Sequence, residues 1–132
     1  MLPIEADEEV ERVINTVVNN IDGAESCFYS DDFYCTIVFT KEDIDHVWCR
    51  HVYNEPCGYC DAGQTNLVGL TLVDGRFVTI INWCGCMTYE PSYTVRDFST
   101  LEEMKESYQN HQHHSMFVKA LESGTLTKAC EI

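Results

Sequence analysis

The chain has 132 residues, the size of one domain, and with 45% hydrophobic residues and only 3 prolines it is composed to bury a core rather than to stay disordered. Its 22 acidic side chains against 8 basic ones give a formal charge of -14, which excludes a direct nucleic-acid binder, because that needs a basic footprint. No apolar run approaches the ~20 residues of a membrane span, and the acidic start Met1–Glu9 lacks the parts of a signal peptide, so residues 1–132 read as one cytoplasmic domain.

Val10, Val13, Ile14, Val17, Val18 and Ile21 recur at i, i+3, i+4 spacing and predict an amphipathic helix over about 7–21. Glu8, Glu9 and Glu11 lie off that stripe and near the positive end of the helix dipole, and Gly23 is the natural stop. Residues 26–40 read as a hairpin, with Cys27–Tyr29 and Phe33–Phe39 as arms and Ser30-Asp31-Asp32 as the turn. Lys41–Asp45 is a polar connection with room for one helical turn. His46–Tyr53 reads as a strand that places Val47, Cys49, His51 and Tyr53 on one side, and Asn54-Glu55-Pro56 ends it. Cys57–Gly63 is then a tight glycine-bearing loop.

Asn66–Val73 and Arg76–Trp83 are two nearly continuous apolar runs across Asp74-Gly75, the pattern of two central strands joined by a two-residue turn. Met87–Val95 is a weaker strand that Pro91 marks as an edge. Ser99 with Glu102 and Thr100 with Glu103 are overlapping capping boxes at the start of a helix carrying Leu101, Met104 and Tyr108. His111, His113 and His114 interrupt that stripe and read as a solvated junction rather than as metal ligands. Met116, Phe117, Ala120 and Leu121 form a second short stripe that Gly124 ends. The expected class is α+β: an antiparallel sheet of about five strands, an N-terminal helix and one or two C-terminal helices, with the helices on one face.

Eight cysteines are many for a cytosolic domain, and without an export signal they do not suggest a disulfide scaffold. Cys27 and Cys35 read as small core residues. A two-residue turn would pair Val73 with Arg76, Thr65 with Cys84 and Gly63 with Cys86. That register delivers Cys57 and Cys60 to the same end of the hairpin as Cys84 and Cys86, and four converging thiolates suit a structural, tetrahedral zinc. His46, Cys49 or His51 is near enough in sequence to replace one ligand. Buried free thiols and redox chemistry remain as alternatives. Cys57-Gly58-Tyr59-Cys60 resembles the active-site tetrapeptide of the thioredoxin-fold disulfide isomerases, which implies thiol–disulfide exchange; here, however, it leads into a strand and not the helix that lowers the thiol pKa.

Residues 1–66 hold 14 acids and 3 bases, against 8 and 5 in the rest, so the acidic field is concentrated in the first half. Such a field steers toward basic partners, although solubility alone is the plainer explanation. Asp31 and Asp32 in one turn and Glu42, Asp43 and Asp45 in the next are the candidate partner-binding acids, with Tyr29 and Tyr53 as aromatic anchors. The preferred reading is a small acidic binding or inhibitory protein that engages a basic partner protein, such as a nucleic-acid enzyme or a toxin. Immunity proteins and phage-encoded inhibitors resemble it in size and charge alone. A thiol enzyme using Cys60 or another exposed thiol, and an assembly subunit, are the alternatives.

Overall fold

The structure, a computed structural model, describes residues 8–20, 32–34, 39–53, 64–84, 92–111 and 114–128. The apolar stripe near the N-terminus forms helix α1, Glu8–Asn20, and buries Val10, Val13, Ile14 and Val17 completely. Residues 27–29, the expected first arm of a hairpin, lie outside the described residues. The second arm appears as the short strand β1, Asp32–Tyr34, so Asp32 belongs to a strand and not to a turn. Lys41–Asp43 form the single helical turn expected there, of the 3₁₀ kind. Strands β2 (Ile44–Tyr53), β3 (Gln64–Leu72), β4 (Phe77–Cys84) and β5 (Ser92–Phe98) follow. Helices α2 (Leu101–Tyr108) and α3 (Ser115–Glu122) and a two-residue strand β6 (Thr127–Lys128) complete the described chain.

The sheet order is β1-β5-β4-β3-β2-β6, and only the β1–β5 pair is parallel. The fold is therefore α+β, with four long antiparallel strands flanked by two short ones. β5 is not the edge that Pro91 suggested, because β1 pairs along its outer side through Asp32–Thr94 to Tyr34–Arg96. Pro91 itself lies outside the described residues.

Helices cover both faces of the sheet, which corrects the expectation of one. Alternation sends Val68, Leu70, Val78, Ile80, Tyr93 and Val95 toward α1. The intervening positions Leu67, Phe77 and Phe98 pack instead with Met104 and Tyr108 of α2 and with Phe117, Val118 and Ala120 of α3. Two-sided burial is why the central strands are apolar at nearly every position. On the α2–α3 face, Gly69 leaves room for aromatic rings. A Cβ built there would lie 2.7 Å from the Phe77 ring and 3.2 Å from that of Phe117, and these two rings meet edge to face at 6.3 Å.

The central hairpin differs from expectation by one residue. Leu72 donates its N–H to the Arg76 carbonyl at 2.9 Å, and Gly75 donates to Leu72 at 3.0 Å, so the loop is Val73-Asp74-Gly75. Gly75 takes φ +96°, the left-handed position that closes a three-residue loop and that favours glycine. The register consequently pairs Asn66 with Asn82 and Gln64 with Cys84, rather than Thr65 with Cys84.

Of the two overlapping capping boxes, Thr100 is the cap. Its Oγ1 accepts from Glu103 N at 3.1 Å, and the Glu103 carboxylate accepts from Ser99 N at 3.0 Å. Among the described residues, no helix is long and apolar enough to cross a membrane.

Candidate interaction face and metal centre

The register sorts the predicted acids by position. Ile44 pairs with Leu72, Thr71 with Phe77, and Phe77 with Phe98, so the start of β2, the β3–β4 loop and the start of α2 share one end of the sheet. Val73 N donates to the Asp43 carbonyl at 2.9 Å and ties the 3₁₀ turn to the hairpin tip. Asp43 is thereby tied to the loop that carries Asp74, with Glu42 and Asp45 as its near neighbours in the chain at the same end of the sheet. Asp45 is the extra residue of a bulge, since Ile44 pairs with Leu72 and His46 with the next residue, Thr71. Its carboxylate stays exposed and lies 3.1 Å from His46 Nδ1. Asp43 is partly engaged within the turn, where its carboxylate accepts from Thr40 N at 2.8 Å and from Thr40 Oγ1 at 3.3 Å.

Arg76 lies within this acidic end. Its Nε donates to Asp74 Oδ2 at 2.6 Å and its backbone N to Asp74 Oδ1 at 3.1 Å. Those two bonds hold the Asp74 carboxyl below the usual carboxylate range. The same contact raises Arg76, with smaller contributions from the charges of Asp97 and Asp43. Glu102 and Glu103 in the first turn of α2 add to this end. At its tip stands Val73, 66% exposed, an apolar residue among carboxylates. Sequence reasoning read Asp74 only as a turn residue and passed over Asp97 and Val73. No local signal brings them to the end of the sheet that holds the Asp43 turn, because the strand pairing does so.

The other predicted anchors are not gathered here. Tyr53 is the last residue of β2, and at ~3.3 Å per residue it stands about 26 Å from Asp45. Asp32 is on the far edge strand, paired with Thr94 toward the opposite end of β5. Tyr29 and Asp31 lie outside the described residues.

The opposite end of the sheet is the cysteine end. Tyr53 pairs with Gln64 and Gln64 with Cys84, so the connection 54–63 leaves and rejoins the sheet beside the end of β4. That connection carries Cys57 and Cys60, and Cys86 follows β4 by two residues. Cys57, Cys60 and Cys86 themselves lie outside the described residues. Among the described residues, no group of three or more His, Cys, Asp and Glu side chains is placed to hold a metal. The corrected register keeps both cysteine pairs attached, through the chain, to one end of the sheet. It also decides among the substitute ligands. His46 aligns through Thr71 with Phe77, about 23 Å along β4 from Cys84, and cannot share an ion whose bonds are ~2.3 Å long. Cys49 aligns through Val68 with Ile80 and packs, half-buried, against the α1-side core as a small apolar residue. His51 aligns through Asn66 with Asn82 and is the nearest of the three to the cysteine end.

Between the two ends, a buried polar pair crosses the centre of the sheet. Asn66 Nδ2 donates to Asn82 Oδ1 at 2.9 Å, and both residues are 0% exposed beneath α1. Next to Asn82, the buried Tyr93 accepts a hydrogen bond at its hydroxyl from Arg12 of α1 at 3.0 Å. A shallow polar groove runs along the outer side of α1, lined by Glu8, Glu11, Arg12, Asn15, Thr16 and Asn19. Comparison with protein-family models, curated proteins and solved structures found nothing that matches this chain.

Proposed function

We propose that this chain is a small acidic binding protein that engages a basic surface on a partner protein, the partner being of the class of nucleic-acid enzymes or toxins. The observation that carries the reading is the acidic end, where the turn holding Glu42 and Asp43, followed by Asp45, is tied to the hairpin tip that carries Asp74 and the exposed Val73. An acidic end steers a basic partner during approach, and an apolar tip gives the docked complex a contact that excludes water. The formal charge of -14 extends the same field over the molecule.

The experiment is affinity capture from the native cell, identification of the partner, and association kinetics with the purified pair. The partner is basic, and its on-rate falls as salt rises, since charges are screened over ~8–10 Å. Reversal of Glu42, Asp45 and Asp74 to Lys lowers the on-rate while the protein stays folded. A binding rate indifferent to both salt and these reversals would leave the charge as a solubility feature and overturn the reading.

In the same proposal, Cys57, Cys60, Cys84 and Cys86 hold one structural zinc. The support is the return of the 54–63 connection to the end of β4. Elemental analysis of protein made without a metal-affinity tag is expected to find about one zinc per chain, and Cys84→Ser to destabilise it by several kcal/mol, because metal binding is coupled to folding. Absence of zinc, with all four thiols reactive in the folded protein, would refute the site.

A further inference from the structure

The α2–α3 junction carries chemistry that the binding proposal does not use. His111 and His114 stack at 3.9 Å with their rings 3° from parallel. His114 N donates to His111 Nδ1 at 3.0 Å, so that ring nitrogen has to be unprotonated in this conformation. His111 and His114, expected in a solvated junction, are instead half-buried, and the Nδ1 of His114 is itself buried. Both rings rest on Tyr108, at 5.0 Å for His114 and 6.2 Å for His111. Tyr108 is fully buried, and its hydroxyl shares a 2.7 Å hydrogen bond with Thr79 of β4. The junction is thereby linked to the sheet.

We infer that the stacked His111–His114 pair is a proton-sensitive latch that fixes the first turn of α3 at neutral pH and loosens it in mild acid. Histidine is the side chain that gains a proton in this range. A proton on His111 Nδ1 removes the acceptor of the His114 N–H and leaves two donors facing each other. A second proton, on His114, places two like charges in stacked rings. Among the described residues, the pair faces Tyr108 of α2, whose ring also lies 5.9 Å from the Arg96 guanidinium of β5. Loosening begins at the hydrogen bond, because α3 starts directly after His114 and its first turn depends on that residue, with Phe117 N donating to the His114 carbonyl at 3.0 Å.

Amide hydrogen exchange at His114 in the full chain, corrected for the intrinsic pH dependence, tests the latch. Protection is expected to fall roughly fivefold to tenfold between pH 7.5 and 5.5, the loss of one hydrogen bond. His111→Asn offers an oxygen acceptor that does not titrate, and should make the protection independent of pH. Unchanged protection in the wild type, or the same pH dependence in His111→Asn, would overturn the inference. Should that variant not fold, the ring-nitrogen NMR spectrum of the wild type decides. An unprotonated His111 Nδ1 at pH 7.5 that gains a proton as the His114 amide loses protection supports the latch, and an Nδ1–H already present at pH 7.5 refutes it.

Discussion

Replacing the buried asparagines tests how the register of the central hairpin is chosen. Asn66 and Asn82 are directly opposed, fully buried and joined at 2.9 Å. In the alternative register, with Val73 opposite Arg76, Asn66 would face Trp83 and Asn82 would face Leu67. The two amides would then point to opposite faces of the sheet, each within an apolar layer. A buried amide deprived of its partner costs about 1–3 kcal/mol, so the slip is disfavoured by about 2–6 kcal/mol through this pair alone. Asn66→Val and Asn82→Val should each destabilise by about 1–3 kcal/mol, because each takes a hydrogen-bond partner from the buried amide that remains. The double variant has no stranded amide and should lose much less than the two single losses combined, leaving a coupling of roughly 1–2 kcal/mol. Urea unfolding of the four proteins measures this, with equal slopes required for the comparison. The double variant, in which the Gly75 loop alone still opposes the slip, should also show a second, minor set of β3–β4 amide signals. Additive losses, with coupling below about 0.3 kcal/mol, would refute the argument.

Three further outcomes are expected. Gly69→Ala pushes a methyl group against the buried rings of Phe77 and Phe117 and should cost about 1–3 kcal/mol, read as a lower denaturation midpoint; a neutral effect would mean that the rings move aside freely. Thr100→Ala removes the acceptor of Glu103 N and should cost about 1 kcal/mol, whereas Ser99→Ala, at a residue that is not the cap, should cost much less; equal melting shifts would contradict the assignment. Because Arg76 holds the Asp74 carboxyl low in the folded state, Asp74 adds stability that is present above the ordinary carboxylate range and lost as pH falls through its folded value. Asp74→Asn should therefore flatten the acid limb of the pH–stability curve, and an unaltered limb would show that the contact contributes nothing.

Helix α1 was legible because its signal is local: a stripe of valines and isoleucines repeats with the period of a single helix, and the observed Glu8–Asn20 lies within the predicted 7–21. The long strands β2, β3 and β4, the 3₁₀ turn at Lys41–Asp43 and the helices on either side of the histidines were legible for the same reason. The cap at Thr100 was narrowed to two candidates, and packing selected one. The α+β class followed from the order of these elements.

Register, strand order and the covering of faces were decided only by tertiary structure. Residues 67–72 and 77–81 are largely apolar on both sides, so alternation carries little preference for one pairing over the next, and the choice falls to Gly75 and to the opposed asparagines. The inner position of β5 depends on β1, which lies far away in sequence, and no pattern within Ser92–Phe98 encodes that neighbour. The acidic end shows the same limit, since the turn at Asp43 and the loop at Asp74 meet only when Val73 binds that turn. Helices and strand propensities arise from interactions a few residues apart, which a sequence displays directly. Pairing across a sheet joins distant segments, and its energy lies in contacts that do not exist until the chain has folded.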